Sequence, residues 1–292
     1  MTGFERFVAI DWSGAKGARH AGIQIAEAEL GQTECRLVFP ANGERWSRPE
    51  VIDYIVKLGE KPTLVGIDFA FSIPWDNDLL GPRQIGDVRA LWALVESLCA
   101  KVPDFYAGPV WTSEQSPFRP YILHAKHRGQ HYRRSYRRKV DDVEGKAISI
   151  YHMIGAQVGA GSFSGMRMLH RIATHHGKSV AIWPFDSIEK AKTTIVEIYP
   201  SFFYRRAGVD RPRRLDLLAS NHDELDRALS FYDGRRQRGV ACRSVDQADA
   251  LVAAAALRKL ADSAAFMYPE SGGFDRREGW IFGVPVRNGK TL

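Results

Sequence analysis

FVAIDWSGAKGARHAGIQIAEAELGQTECRLVFP, residues 7–40, is the stretch on which the fold turns. FVAID (7–11) is a short apolar run that ends on an acid and passes into the turn-forming WSGAKG. AGIQIAEAEL (21–30) partly alternates, and TECRLVFP (33–40) alternates again before Pro40. The Gly31-Gln32 link between them predicts an antiparallel hairpin. The chain therefore opens with three consecutive strands in a meander.

Downstream, the pattern changes to helices alternating with buried strands. RPEVIDYIVKLG (48–59) carries apolar residues at helical spacing and stops on Gly59. TLVGIDFAFSIP (63–74) is a continuous apolar run, as in a strand covered on both faces of a sheet. A helix is predicted over 86–101, ending before Pro103, and TTIVEIYP (193–200) is a second buried strand stopped by proline. SVDQADALVAAAALRKLADSAAF (244–266) reads as an Ala-rich helix with a capping-box pattern, Ser244 and Gln247, at its start. The stretch from about 103 to 192 is irregular and rich in Gly, Ser and Arg. It reads as a basic insertion in what is otherwise one domain spanning 1–292. This order predicts an α/β fold: a mixed sheet, with a three-stranded meander followed by parallel strands and helices on both faces.

Hydrophobic residues make up 45% of the chain and charged residues 26%, a balance that supports a full core. No apolar run approaches the roughly 18 residues needed to span a bilayer, and the N-terminus carries no secretory pattern. The three cysteines, Cys35, Cys99 and Cys242, lie far apart without a CxxC pair, so a reducing, cytoplasmic setting is expected.

The net charge of +7 favours polyanions only modestly; where it sits says more. RPYILHAKHRGQHYRRSYRRK (119–139) contains no acid. Lys126, Arg128, Arg133, Arg134, Arg137, Arg138 and Lys139 could grip a nucleic-acid backbone, with Tyr121, Tyr132 and Tyr136 to stack on bases. The competing reading is a solvated segment paired with Asp141, Asp142 and Glu144. RRAGVDRPRR (205–214) and RRQRG (235–239) read as solvating loops.

Asp11, Asp68 and Glu197 each stand at the end of a predicted strand, and ligand sites of open α/β sheets form beyond those ends. Asp246 and Asp249 lie three apart on one face of the last helix. Acids in buried strands are costly unless paired, hydrogen-bonded or metal-bound. Hard oxygen donors of this kind suit Mg²⁺ or Mn²⁺. Asp11, Asp68, Glu197 and Asp249 are the candidate catalytic set, with Asp246 a further candidate ligand. The plainer reading makes Asp11 and Asp68 turn caps and Asp246 a partner of the helix dipole.

Other features carry less. GAQVGAGSFSGMRMLHRI (155–172) is a Gly-rich loop entering a helix; it lacks a Lys-Ser/Thr ending and a preceding strand, so it reads as a connector. His170, His175 and His176 read as helix-end histidines, and Gly272-Gly273 as a turn into a last strand in EGWIFGV (278–284).

VAIDWSGAKG, GIDFAFSIP, IVEIYPSFF, SVDQADALVAAAALRKLA and EGWIFGV, taken in order, resemble an uncharacterised family of predicted ribonuclease H-like nucleases. The resemblance covers most of 4–74 and 193–284. It implies the fold shared by ribonuclease H, the Holliday-junction resolvases and the integrases. It also implies metals held by an acid on the first strand, one on the fourth and one on the last helix. Those positions here are Asp11, Asp68 and Asp249, with Glu197 beside them and Asp246 as the alternative to Asp249. The function so implied is divalent-metal-dependent hydrolysis of phosphodiester bonds in DNA or RNA. An actin- or sugar-kinase-like phosphotransferase is a second reading, suggested by Asp11 with Gly14, although GIDFAFSIP has no glycine after its acid. A nucleotide- or small-molecule-binding protein, with Trp12, Phe69, Phe71, Trp75 and Trp183 around a pocket, is a third.

Overall fold

The computed structural model describes residues 3–41, 43, 45–75, 85–154, 158–261, 266 and 274–286. In chain order its elements begin with β1 (Arg6–Asp11), β2 (Gln24–Glu29), β3 (Glu34–Val38), α1 (Arg48–Lys57), β4 (Thr63–Asp68) and α2 (Val88–Cys99). The middle of the chain holds α3 (Pro109–Thr112), β5 (Leu123–His124), β6 (His127–Arg128), α4 (Lys139–Glu144), β7 (His152–Met153), α5 (Val158–His176) and β8 (Val180–Ile182). The rest comprises β9 (Thr193–Glu197), α6 (Pro200–Arg206), α7 (Arg214–Leu218), α8 (Asp223–Phe231), β10 (Arg235–Arg236) and α9 (Val245–Leu260).

Seven strands form one mixed sheet in the order β10-β3-β2-β1-β4-β9-β8. β1, β2 and β3 pair antiparallel as the alternation predicts. β4, β9 and β8 then add in parallel on the other side of β1. The architecture is α/β, with helices packed against both faces of the sheet.

Side chains of a strand alternate between faces, and here the two faces bury two separate clusters. Val8, Ile10, Val65, Ile67 and Ile195 point towards residues of α1, α2 and α5, among them Ile55, Trp92 and Phe163. Phe7, Ala9, Leu64 and Val196 point towards α6, α8 and α9, including Phe203, Leu229 and Leu257. The alanines of α9, from Ala253 to Ala256, are completely buried, so their small size sets how near the helix lies to the sheet. Ser244 caps α9 by accepting from the Gln247 amide, while the Gln247 side chain accepts from Arg243 N.

The irregular stretch contains more regular structure than its composition suggests. β8 joins the main sheet, and β6-β5-β7 make a small sheet of their own. The segment 155–172 reads as a Gly-rich loop entering a helix; 155–157 lie outside the described residues, and from Val158 on it is already helical, within α5, a 19-residue helix most of which is buried. Its glycines serve close packing: a Cβ on Gly165 would lie 2.4 Å from the Phe69 ring. EGWIFGV forms no strand among the described residues; it meets the sheet through an isolated bridge from Ile281 to Glu197 and packs into the cluster on the α9 face. Gly272-Gly273 lies outside the described residues. No helix is long and apolar enough to cross a membrane among those described.

Candidate functional site

β1 is the switch point of the sheet, with antiparallel β2 on one side and parallel β4 on the other. Asp11 and Asp68 end these two parallel strands and are direct partners in register. Both belong to the face covered by α9, whose first two turns bring Asp246 and Asp249 to the same end of the sheet. The four acids line one cavity of about 430 Å³.

Glu197 does not join them on that face. Its register partner on β4 is Ile67, not Asp68. By the alternation of the pleat it points with Ile67 to the opposite face. There Arg138 donates Nη2 to Oε1 at 2.6 Å and Nη1 to Oε2 at 2.8 Å, and the Phe71 amide adds a bond to Oε2 at 2.9 Å. Both oxygens are engaged, so Glu197 acts as the counter-ion of Arg138. It still reaches the cavity wall at the strand end. Arg138 is itself only 2% exposed and also grips Asp141, through Nε at 3.1 Å and Nη2 at 2.8 Å. That burial removes Arg138 from the set of surface phosphate contacts. The pairing with Asp141 is the plainer reading of this segment, and Arg137 with Asp142 repeats it.

The cation inside the carboxylate cluster comes from a loop read as solvating. Arg211, between α6 and α7, donates Nε to Asp249 Oδ1 at 3.0 Å and Nη2 to Oδ2. Burial, with the neighbouring acids adding to it, holds the Asp11 carboxyl well above the ordinary range, against the pull of Arg211. The same causes push Asp68 up to about 8, and burial raises Asp249 to about 6 although Arg211 holds it down. Burial also raises Asp246. Six acids line this cavity, Asp141 and Glu197 among them, against two guanidiniums, Arg138 and Arg211, so it is short of positive charge.

The turn after β1 is fixed from below. Arg48, fully buried, donates Nε and Nη2 to Ser13 O at 3.0 and 2.7 Å, Nη2 to Ala15 O at 2.7 Å, and Nη1 to Asp104 O at 2.6 Å. From above, α5 presses on the same turn, and Gly14 sits against the Ala160–Gly161 peptide. Two buried donors beside the acids, Trp12 Nε1 and the Tyr204 hydroxyl, have no hydrogen-bond partner among the described residues.

No family model, characterised protein or solved structure matches the chain. The site's own chemistry therefore carries the functional reading.

The donor set of Asp11, Asp68, Asp246 and Asp249 consists of hard oxygens and fits Mg²⁺ or Mn²⁺ in kind. The arrangement does not converge on a single point. Among the described residues no three carboxylate, imidazole or thiolate side chains are grouped to hold an ion. Asp249 is turned to Arg211 instead.

The basic segment divides in the folded chain. Arg134 and Arg137, with Lys146 and His152, line a second cavity of about 520 Å³. Ala147 and Ile148 belong to the walls of both cavities, so the basic one adjoins the acidic one. Lys126, Arg128, Arg133 and Lys139 are exposed and line neither. Tyr132 is buried, its hydroxyl 2.9 Å from His152 Nδ1, and offers no free ring face. Tyr121 and Tyr136 are half-buried against each other. His175 is exposed and His176 half-buried at the end of α5, as read from the sequence, whereas His170 lies inside the helix, half-buried, more than a turn before its end.

Proposed function

We propose that the chain is a divalent-metal-dependent hydrolase of phosphodiester bonds, on a ribonuclease H-like fold, with nucleic acid as its substrate. The observation that carries this reading is the adjacency of the two cavities, one lined by Asp11, Asp68, Asp246 and Asp249 and one by Arg134, Arg137 and Lys146. An acidic centre alone repels a phosphodiester, whereas a basic groove beside it binds the backbone on either side of the reacting group. The meander followed by parallel strands supports the fold assignment, as do acids on β1, β4 and the last helix.

Asp11, Asp68 and Asp249 would hold Mg²⁺ or Mn²⁺, with Asp246 able to join. Bound there, such ions supply an activated water and charge for the leaving oxygen. The protein's own part is positional. Arg48 and α5 hold the turn after Asp11, while the Arg138–Glu197 pair ties the end of β9 to α4 and to the chain after β4. Arg134, Arg137 and Lys146 bind and orient the backbone phosphates. Three free, buried cysteines suit the reducing, cytoplasmic setting that such a substrate implies.

A second reading has an observation of its own. Trp12 and Phe69 line the acidic cavity, and its volume suits a mononucleotide or other small ligand. Calorimetric titration of Mg²⁺ and Mn²⁺ into wild type and Asp11→Asn, with cleavage of labelled single-stranded, duplex and branched DNA and RNA, separates the two. Binding and cleavage both lost in the variant support the nuclease. Binding without cleavage of any polymer moves the assignment to a nucleotide or small-molecule ligand. No binding at millimolar metal by wild type or by Arg211→Gln removes the metal site itself.

A further inference from the structure

We propose that Arg211 is a resident counter-ion of the carboxylate cluster, and that a divalent cation enters the site by displacing it from Asp249. The inference rests on the metal reading above and adds a named competitor for the same oxygens. Three observations lead to it.

The first is which acid Arg211 occupies. Asp249 is the carboxylate that α9 brings to Asp11 and Asp68, and both its oxygens accept from the one guanidinium. A set of acids that line one cavity yet do not converge is what such a bidentate clamp produces.

The second is an asymmetry of burial. The Asp249 side chain is 1% exposed and that of Arg211 is 46% exposed. The acid is fixed in the first turns of a buried helix, whereas the arginine hangs from the loop between α6 and α7. Of the two partners only Arg211 has solvent to leave into.

The third is where it can go. Arg211 also lines a neighbouring cavity of about 370 Å³, together with Asp210, Asp216, Asp223 and Glu224. A guanidinium that leaves Asp249 therefore moves towards other carboxylates. Asp216 and Glu224 already have arginine partners, Arg213 and Arg227, so the second cavity is partly neutralised and holds Arg211 less tightly than Asp249 does. Exchange of one guanidinium for one dication leaves the main cavity better compensated than before, and the two cations exclude each other from Asp249 by repulsion.

The test is calorimetric titration of Mn²⁺ into wild type, Arg211→Gln and Arg211→Lys, with thermal unfolding of each protein with and without Mn²⁺. Removing a charge-assisted competitor tightens Mn²⁺ binding roughly tenfold in Arg211→Gln. Arg211→Lys, which keeps the charge but loses the bidentate fork, falls between it and wild type. Without metal, Arg211→Gln melts below wild type, and Mn²⁺ restores it by a larger shift. Should Arg211→Gln not fold, the Lys variant decides alone. Binding in the variants but not in wild type is the same result in stronger form. Wild type that binds Mn²⁺ as tightly as the variants, or more tightly, overturns the displacement and leaves the metal site intact. No binding by any of the three proteins overturns the displacement and the metal reading together.

Discussion

Asp11 and Asp68 stand directly opposite each other at the ends of adjacent parallel strands, on the side of the sheet that α9 covers. Two acids in that relation, with Asp249 above them, repel each other unless something cationic lies between. Asp68→Asn removes one of the repelling charges. In metal-free protein at pH 8 the substitution is expected to stabilise by about 1–2 kcal/mol, a rise in Tm of about 2–4 °C per kcal/mol. The same change abolishes Mn²⁺ binding, a trade of function for stability. Scanning calorimetry with and without Mn²⁺ checks both halves, and a lower metal-free Tm contradicts the first.

The pH dependence follows from the same acids, and its sign is the reverse of the usual carboxylate case. Asp68 is pushed up to about 8 and Asp249 to about 6, both above the ordinary value of 3.8. Between pH 4 and these values the folded protein binds more protons than the unfolded chain, so stability falls as pH rises. The contribution of Asp249 is lost from about pH 4 to 6, and that of Asp68 continues to fall to about 8. Metal binding runs the other way, because the ligands must be ionised, and strengthens over the same range. Melting curves at pH 5, 6.5 and 8 are expected to show wild type losing stability relative to Asp68→Asn as pH rises. Parallel pH profiles of the two proteins would remove the electrostatic argument.

The strands and main helices were legible because their signals are local. Alternation over 21–40, the apolar runs ending at Asp68 and Glu197, and the Ala-rich body of α9 each lie within one element. Partnerships between distant segments leave no such trace. The face on which Glu197 falls depends on the pairing of Ile67 with Glu197, a register between residues far apart in sequence. One residue of slip reverses it. Arg211 sits in a run of arginines like any solvated loop, and only tertiary packing carries it to Asp249. Arg138 had a faint local signal: Asp141 three residues on, in a short helix whose N-terminus it helps cap. The glycines of α5 read as a loop because composition does not distinguish a loop from a helix pressed closely against its neighbours.

Arg138 and Arg134 belong to one basic segment and are expected to respond oppositely. Arg138→Met leaves Glu197 and Asp141 buried without their partner, a loss of about 3–5 kcal/mol. Arg134→Ala removes an exposed side chain at the basic cavity, so stability changes by less than about 0.5 kcal/mol. Polyanion binding shows the difference. Arg134→Ala weakens it and lowers the slope of log affinity against log salt by about one. Urea unfolding and heparin or oligonucleotide titration at several salt concentrations measure the two effects. An Arg134 variant whose salt slope equals that of wild type argues against phosphate contact at this cavity.

Gly14 joins the turn after β1 to α5 so closely that nothing larger fits. A Cβ there would lie 2.2 Å from the Ala160 carbonyl carbon and 2.3 Å from the Gly161 amide nitrogen. These are helix backbone atoms, so relief requires the turn or the helix to shift as a unit. Arg48 resists the movement from below through its bonds to Ser13 O and Ala15 O. Gly14→Ala is therefore expected to cost about 1–3 kcal/mol of stability. Because Asp11 begins the same turn, the substitution also weakens Mn²⁺ binding, although residue 14 offers no ligand of its own. Substitution of Gly3, which has open space around it, is the control. Denaturant unfolding and Mn²⁺ calorimetry on Gly14→Ala and Gly3→Ala distinguish the outcomes. Equal stability and equal affinity in the two variants would mean that the turn moves freely and that α5 does not position the site.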